Sequence, residues 1–195
     1  AEGGRTHSNY CCLRNKVNMQ PRKVRLFVAT SLDGYIAGPD HDLSFLQTVE
    51  RAGEDYGYSA YAGETDTVVI GRSTWEKVSS DGVTSPFEEK QVYVISSSGN
   101  PESGPVVFYS GNLTQLIREL KLSAGKDIQI EGGPQMIGEL LNSRLLDTIC
   151  ISTIPVILGI GIPLFREGLH PLKLEFLQVK GFPSGLVQAE YKVIY

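Results

Sequence analysis

The stretch Val68–Val78, Val-Val-Ile-Gly-Arg-Ser-Thr-Trp-Glu-Lys-Val, constrains the fold more than any other, because it joins a buried strand to a helix start suited to phosphate. Val68, Val69 and Ile70 form the short β-branched run typical of a strand covered on both faces. Gly71 lets the backbone turn, and Ser73 or Thr74 can cap a helix running through Val78. The free N–H groups of that helix start, its dipole and the guanidinium of Arg72 together suit an anion. The same residues also serve an ordinary strand–turn–helix junction.

A second junction repeats the pattern. Asp127–Ile130 alternates like a strand, Glu131-Gly132-Gly133-Pro134 follows, and Met136, Ile137, Leu140 and Leu141 recur at helical spacing. Adjacent glycines let a backbone approach a ligand closely, or serve a turn with positive φ, and Pro134 fits a first helical turn. The helix start at Pro134, Gln135 and Met136 can receive a diphosphate, and the Ser73–Thr74 start a further phosphate of the same nucleotide. Two such junctions point to a dinucleotide with an extra phosphate. No G-x-G-x-x-G follows a first strand, so the usual Rossmann fingerprint is absent.

The flanking sequence predicts an alternation of strands and helices. Strands are expected at Lys23–Ser31, Thr67–Ile70, Gln91–Ile95, Val106–Tyr109, Asp127–Ile130 and Asp147–Ile154. Helices are expected at Leu43–Val49, Glu54–Ala62, Leu113–Leu122 and Gln135–Asn142, and a loop over Leu32–Asp42. Leu172–Lys180 and Leu186–Tyr195 alternate around Gly181–Gly185 and read as an antiparallel hairpin. The reading is an α/β chain with a mostly parallel central sheet between helical layers. Residues 1–20 are polar and aperiodic, and are expected to be a disordered leader or tag remnant before one domain over residues 21–195.

A net charge of −4 without a long basic run argues against nucleic acid as a partner. No apolar run has the length of a membrane span. Cys11, Cys12 and Cys150 make no disulfide framework, and the expectation is reduced thiols in a cytoplasmic protein. His7, His41 and His170 show no metal-ligand spacing, so no metal is expected.

In this order the pieces resemble the dihydrofolate reductase fold, and within it the bacterial branch that includes the reductase domain of riboflavin biosynthesis. Val24–Gly38 resembles the first strand and nicotinamide-side loop, and Gly71–Glu76 the Gly-Arg-x-Thr-Trp-Glu element that holds the adenosine-side phosphate of NADPH. Val92–Ser98 resembles a strand with a serine-rich end, Gly132-Gly133 the pair under the pyrophosphate, and Pro155–Phe165 a loop of the riboflavin-type branch. The resemblance implies an NADPH-dependent reductase of a small planar heterocycle, a pterin, a dihydrofolate or a pyrimidine. It places Ala29 at the carboxamide, Ile36 and Ala37 by the nicotinamide ribose, and Arg72, Ser73, Thr74, Ser96 and Ser97 on the 2′-phosphate. Asp42 and Asp33 are the candidate proton donors, each equally able to hold a turn. The Pro-Trp pair usual before the folate-reductase carboxylate is missing, and Tyr35 stands where the riboflavin-pathway enzyme commonly has Lys. The alternatives are the riboflavin-pathway 5-amino-6-(5-phosphoribosylamino)uracil reductase and a nucleotide-binding protein without turnover. The branch also implies a homodimer, for which the hairpin offers Leu177, Val187, Tyr191 and Val193, positions equally suited to the domain's own core.

Overall fold

The structure, a computed structural model, describes residues 21–80, 87–97 and 105–195. The leader expectation for residues 1–20 and the serine-rich end at Ser98 fall outside them. An eight-stranded sheet runs in the order β5-β4-β3-β6-β1-β7-β10-β9. Its parallel part comprises β1 (Val24–Ser31), β3 (Thr65–Gly71), β4 (Gln91–Ile95), β5 (Val106–Tyr109), β6 (Asp127–Glu131) and β7 (Thr148–Ile154). The hairpin of β9 (Lys173–Gly181) and β10 (Val187–Ile194) adds two antiparallel strands beside β7.

The strands in the middle of this sheet read as near-continuous apolar runs because both their faces are covered. On one face Val24, Leu26, Val69, Ile128 and Ile130 pack with α3 (Leu113–Leu122) and α4 (Pro134–Asn142). On the other, Val68, Ile70, Val92 and Val94 pack with Phe87 and with Trp75 and Val78 of α2 (Arg72–Ser80). Helix α1 (Tyr58–Gly63) is shorter than the helix expected over Glu54–Ala62 because Tyr56 has a φ of 54° and Gly57 a φ of 81°, which no α-helix tolerates. The segment Ser44–Val49 is a 3₁₀ turn that buries Phe45 and Val49. Two short strands interrupt segments read as loop: β2 (Tyr35–Ala37) pairs antiparallel with β8 (Ile162–Pro163). No helix among the described residues is long and apolar enough to cross a membrane.

Candidate active site

The crossover from β3 through α2 goes to β4, while that from β6 through α4 goes past β1 to β7, in the opposite direction along the sheet. Between β3 and β6 the two helices part, and the carboxyl ends of the strands open into a crevice, where open α/β sheets bind ligands. A cavity of about 810 Å³ lies there. Its wall joins Ala29 of β1, Ile36 and Ala37 of β2, Gly71 at the end of β3, and Ser73 and Thr74 at the start of α2. The run Gly132, Gly133, Pro134, Gln135 and Met136 completes it, with Met136 beside Gly71.

The helix starts at this cavity differ in a way that bears on anion binding. Helix α3 is capped by its own Asn112, whose side chain accepts from the backbone N–H of Gln115 at 2.9 Å. Helix α4 has Gly133 at its N-cap, which has no side chain to offer, so the first-turn donors are left to a ligand. The glycine pair needs no positive φ, contrary to the turn alternative: Gly133 is extended, with φ −80° and ψ −178°. The two glycines serve different ends. A Cβ on Gly132 would come within 2.6 Å of Met136 Sδ, whereas one on Gly133 would meet no protein atom within 4 Å and would stand in open space. That open space over an uncapped helix start fits a diphosphate.

Arg72, Ser96 and Ser97 are not part of the cavity wall. The Arg72 guanidinium donates from Nη1 to Ser96 Oγ at 3.0 Å and from Nε to Glu76 Oε1 at 2.7 Å. The wall instead carries Lys77 and His41, joined by a hydrogen bond of 2.7 Å from Lys77 Nζ to the His41 carbonyl. These two, with Asn112, are wall residues that sequence reasoning missed. Asn112 follows Gly111 at a third strand-to-helix junction, the same signal that identified the other two.

Neither aspartate candidate reaches the wall. Asp42 accepts from the backbone N–H of Ser44 at 3.0 Å and from Ser44 Oγ at 2.7 Å, bonds that hold its carboxyl below the usual range. Asp33 accepts from Ser31 Oγ at 2.6 Å and from the N–H groups of Leu158 and Gly159 at 3.1 and 2.7 Å. The Ser31 bond, with the two amides behind it, lowers its carboxyl to about 2. Asp33 therefore ties the β1–β2 turn to the loop after β7.

Two carboxyls do line the cavity, that of Glu139 in α4 and that of Glu131, the last residue of β6. Desolvation pushes the Glu131 carboxyl up to about 7, against the opposing pull of Gln129 Nε2, which donates to it at 2.6 Å, and of Lys90. Such a group can hold a proton near neutral pH and release it.

This topology, with its ligand crevice at the β3/β6 divide, defines a dihydrofolate reductase-like α/β protein. The dihydrofolate reductase of Enterococcus faecalis, in complex with NADP(H), shares the fold at a TM-score of 0.62, with 12% identity over 88% of this chain and 96% of that one. The family model of the RibD C-terminal domain matches residues 22–188, and the chain belongs to that family. YwjB of Bacillus subtilis (strain 168), an uncharacterised protein, is 36% identical over 173 residues, 87% of this chain and 97% of the relative. A protein from Shewanella sp. PV-4 assigned to riboflavin biosynthesis has a crystal structure that superposes with a TM-score of 0.80. It is 29% identical and covers 89% of this chain and 99% of that one.

Proposed function

We propose that the protein is a reductase that uses NADPH to reduce a small planar heterocycle, a pterin or a pyrimidine. The observation that carries this reading is the uncapped start of α4, open above Gly133, on the same cavity as the start of α2. A dinucleotide laid between the two starts would have its diphosphate at α4 and its third phosphate by Ser73, Thr74 and Lys77, with Arg72 and Ser96 behind them. NADPH supplies a hydride. The chain's own part is to hold its donor against the substrate near Ala29, exclude water, and offer a proton from Glu131.

Family membership favours a second reading within the same chemistry, the 5-amino-6-(5-phosphoribosylamino)uracil reductase of the riboflavin pathway. Loss of reduced-nicotinamide absorbance with a panel of pterins and of pyrimidines, phosphorylated and not, separates the two. Binding of NADPH with no oxidation on any member would leave a nucleotide-binding protein without turnover.

Cofactor choice is tested separately. Arg72→Ala, which removes the guanidinium behind the Ser73–Thr74 start, should weaken NADPH binding by about 0.5–1.5 kcal/mol, less than a direct hydrogen bond to a charged group contributes, and leave NADH almost unchanged. Equal losses for both cofactors, measured by fluorescence titration, would remove Arg72 from the phosphate site.

A further inference from the structure

A polar chain crosses the core beneath the cavity. Lys90, only 9% exposed just before β4, donates from Nζ to the Ala62 carbonyl at 2.8 Å, to Thr65 Oγ1 at 2.7 Å and to Gln129 Oε1 at 3.1 Å. Gln129 is fully buried in the central strand β6, between Ile128 and Ile130 but on the opposite face from them. Its Nε2 donates to Tyr58 Oη at 3.0 Å and to Glu131 Oε1 at 2.6 Å.

The chemistry of these groups removes the ambiguity in the amide. An ammonium has donors and no acceptor, so the group that faces Lys90 must be the amide oxygen. The nitrogen must then face Tyr58 and Glu131. If the amide turned over, its oxygen would face the carboxyl, a contact that only a protonated carboxyl can satisfy. The orientation of one buried amide thus decides which form of Glu131 is favoured, and the lysine at the other end decides the orientation.

We propose that Lys90 is a positioning residue for Glu131: by holding the Gln129 oxygen it turns the amide nitrogen onto the carboxyl and fixes the pH at which that carboxyl releases its proton. Among the described titratable groups, Tyr58 and Tyr61 of α1 also act on Glu131, and His41, Lys77 and Glu139 share its cavity wall. Burial pushes both tyrosines up, so they stay neutral across the range in question. Arg25 stands over the Tyr61 ring and is paired with Glu64, Asp127 and Glu190.

The inference is tested by carbon-13 NMR titration of the Glu131 carboxyl in the full chain, assigned with Glu131→Gln, and repeated in a His41→Gln background. Lys90→Met removes the cation, and the midpoint should rise by about one pH unit or more. Lys90→Gln is the decisive variant, since its amide can satisfy Thr65 and Ala62 but offers Gln129 either a donor or an acceptor. It should also raise the midpoint, whereas Thr65→Val, which removes the Thr65 Oγ1 bond to Gln129 Oε1 at 3.1 Å but leaves Lys90 facing that oxygen, should not. A folded Lys90→Gln protein with an unmoved midpoint overturns the proposal, as does a rise in Thr65→Val equal to that in the lysine variants. The titration needs neither cofactor nor substrate, so failure of the reductase reading, on which only the catalytic consequence depends, would show independently in the absorbance assay.

Discussion

A carboxyl accepting one amide hydrogen bond in water stays ionised far below neutrality; Glu131 accepts the same bond on a cavity wall, and there desolvation outweighs it. If Glu131 supplies the proton, Glu131→Gln should lower turnover about 10²–10⁴-fold with NADPH affinity little changed, and wild-type activity should fall as pH rises through about 7. The same shift has a sign in stability. Between the ordinary value of 4.5 and about 7 the native protein keeps a proton that the unfolded chain has released, so stability falls as pH rises across that window. Thermal melts of Glu131→Gln should lack that decline. Asp42→Asn should leave turnover within about twofold, because asparagine caps the Ser44 turn as well as aspartate does. Sequence order alone put forward Asp33 and Asp42, and could not show that each carboxylate turns to neighbouring N–H and O–H groups. A signal for Glu131 was present, a charge closing the apolar strand Asp-Ile-Gln-Ile directly before two glycines. Its value depends on α1 and Lys90, both distant in the chain.

Among the elements, the long parallel strands and the helices α3 and α4 were legible because their apolar periodicity is local and strong: Leu113, Leu116, Ile117 and Leu120 are all buried. The strands β2 and β8 were not, since three residues and two residues carry no period of their own and exist only through pairing Tyr35 with Pro163 and Ala37 with Ile162, far apart in the chain. What aligns those loops is Asp33, bonded to Leu158 and Gly159. Asp33→Ala should speed amide hydrogen exchange at these two positions, and in the wild type the same loop should loosen as pH falls from about 4 toward 2, where the lowered carboxylate is finally protonated. At the start of α4, Gly133→Val is compatible with the backbone, whose φ of −80° suits a β-branched residue, so the variant should melt with the wild type. Its side chain would occupy the open space above the helix start, and NADPH affinity should fall at least about tenfold, or 1.4 kcal/mol. Unchanged affinity in that variant would move the diphosphate elsewhere.

At the scale of the whole molecule, the sheet ends in an edge that leaves apolar surface in solvent. Register places Leu174, Phe176 and Val179 of β9 on one face, opposite Val193, Tyr191 and Ala189 of β10, while Glu175, Gln178 and Lys180 lie on the other. Val193 is buried and belongs to the domain's own core, whereas Phe176, Val179 and Val187 stand 59%, 57% and 46% exposed. A patch continuous with the core yet uncovered is the kind of surface on which proteins associate. We propose that a second copy of the chain covers it, since an isologous contact would remove the same patch from water on both subunits at once. Sedimentation at micromolar concentration should give a dimer, and Phe176→Lys combined with Val179→Lys should give a folded monomer. The double variant should keep the wild-type circular dichroism, because both side chains stand in solvent at the sheet edge, outside the buried core. A monomeric wild type would remove the proposal. A dimer that survives the double substitution would place the interface on another face.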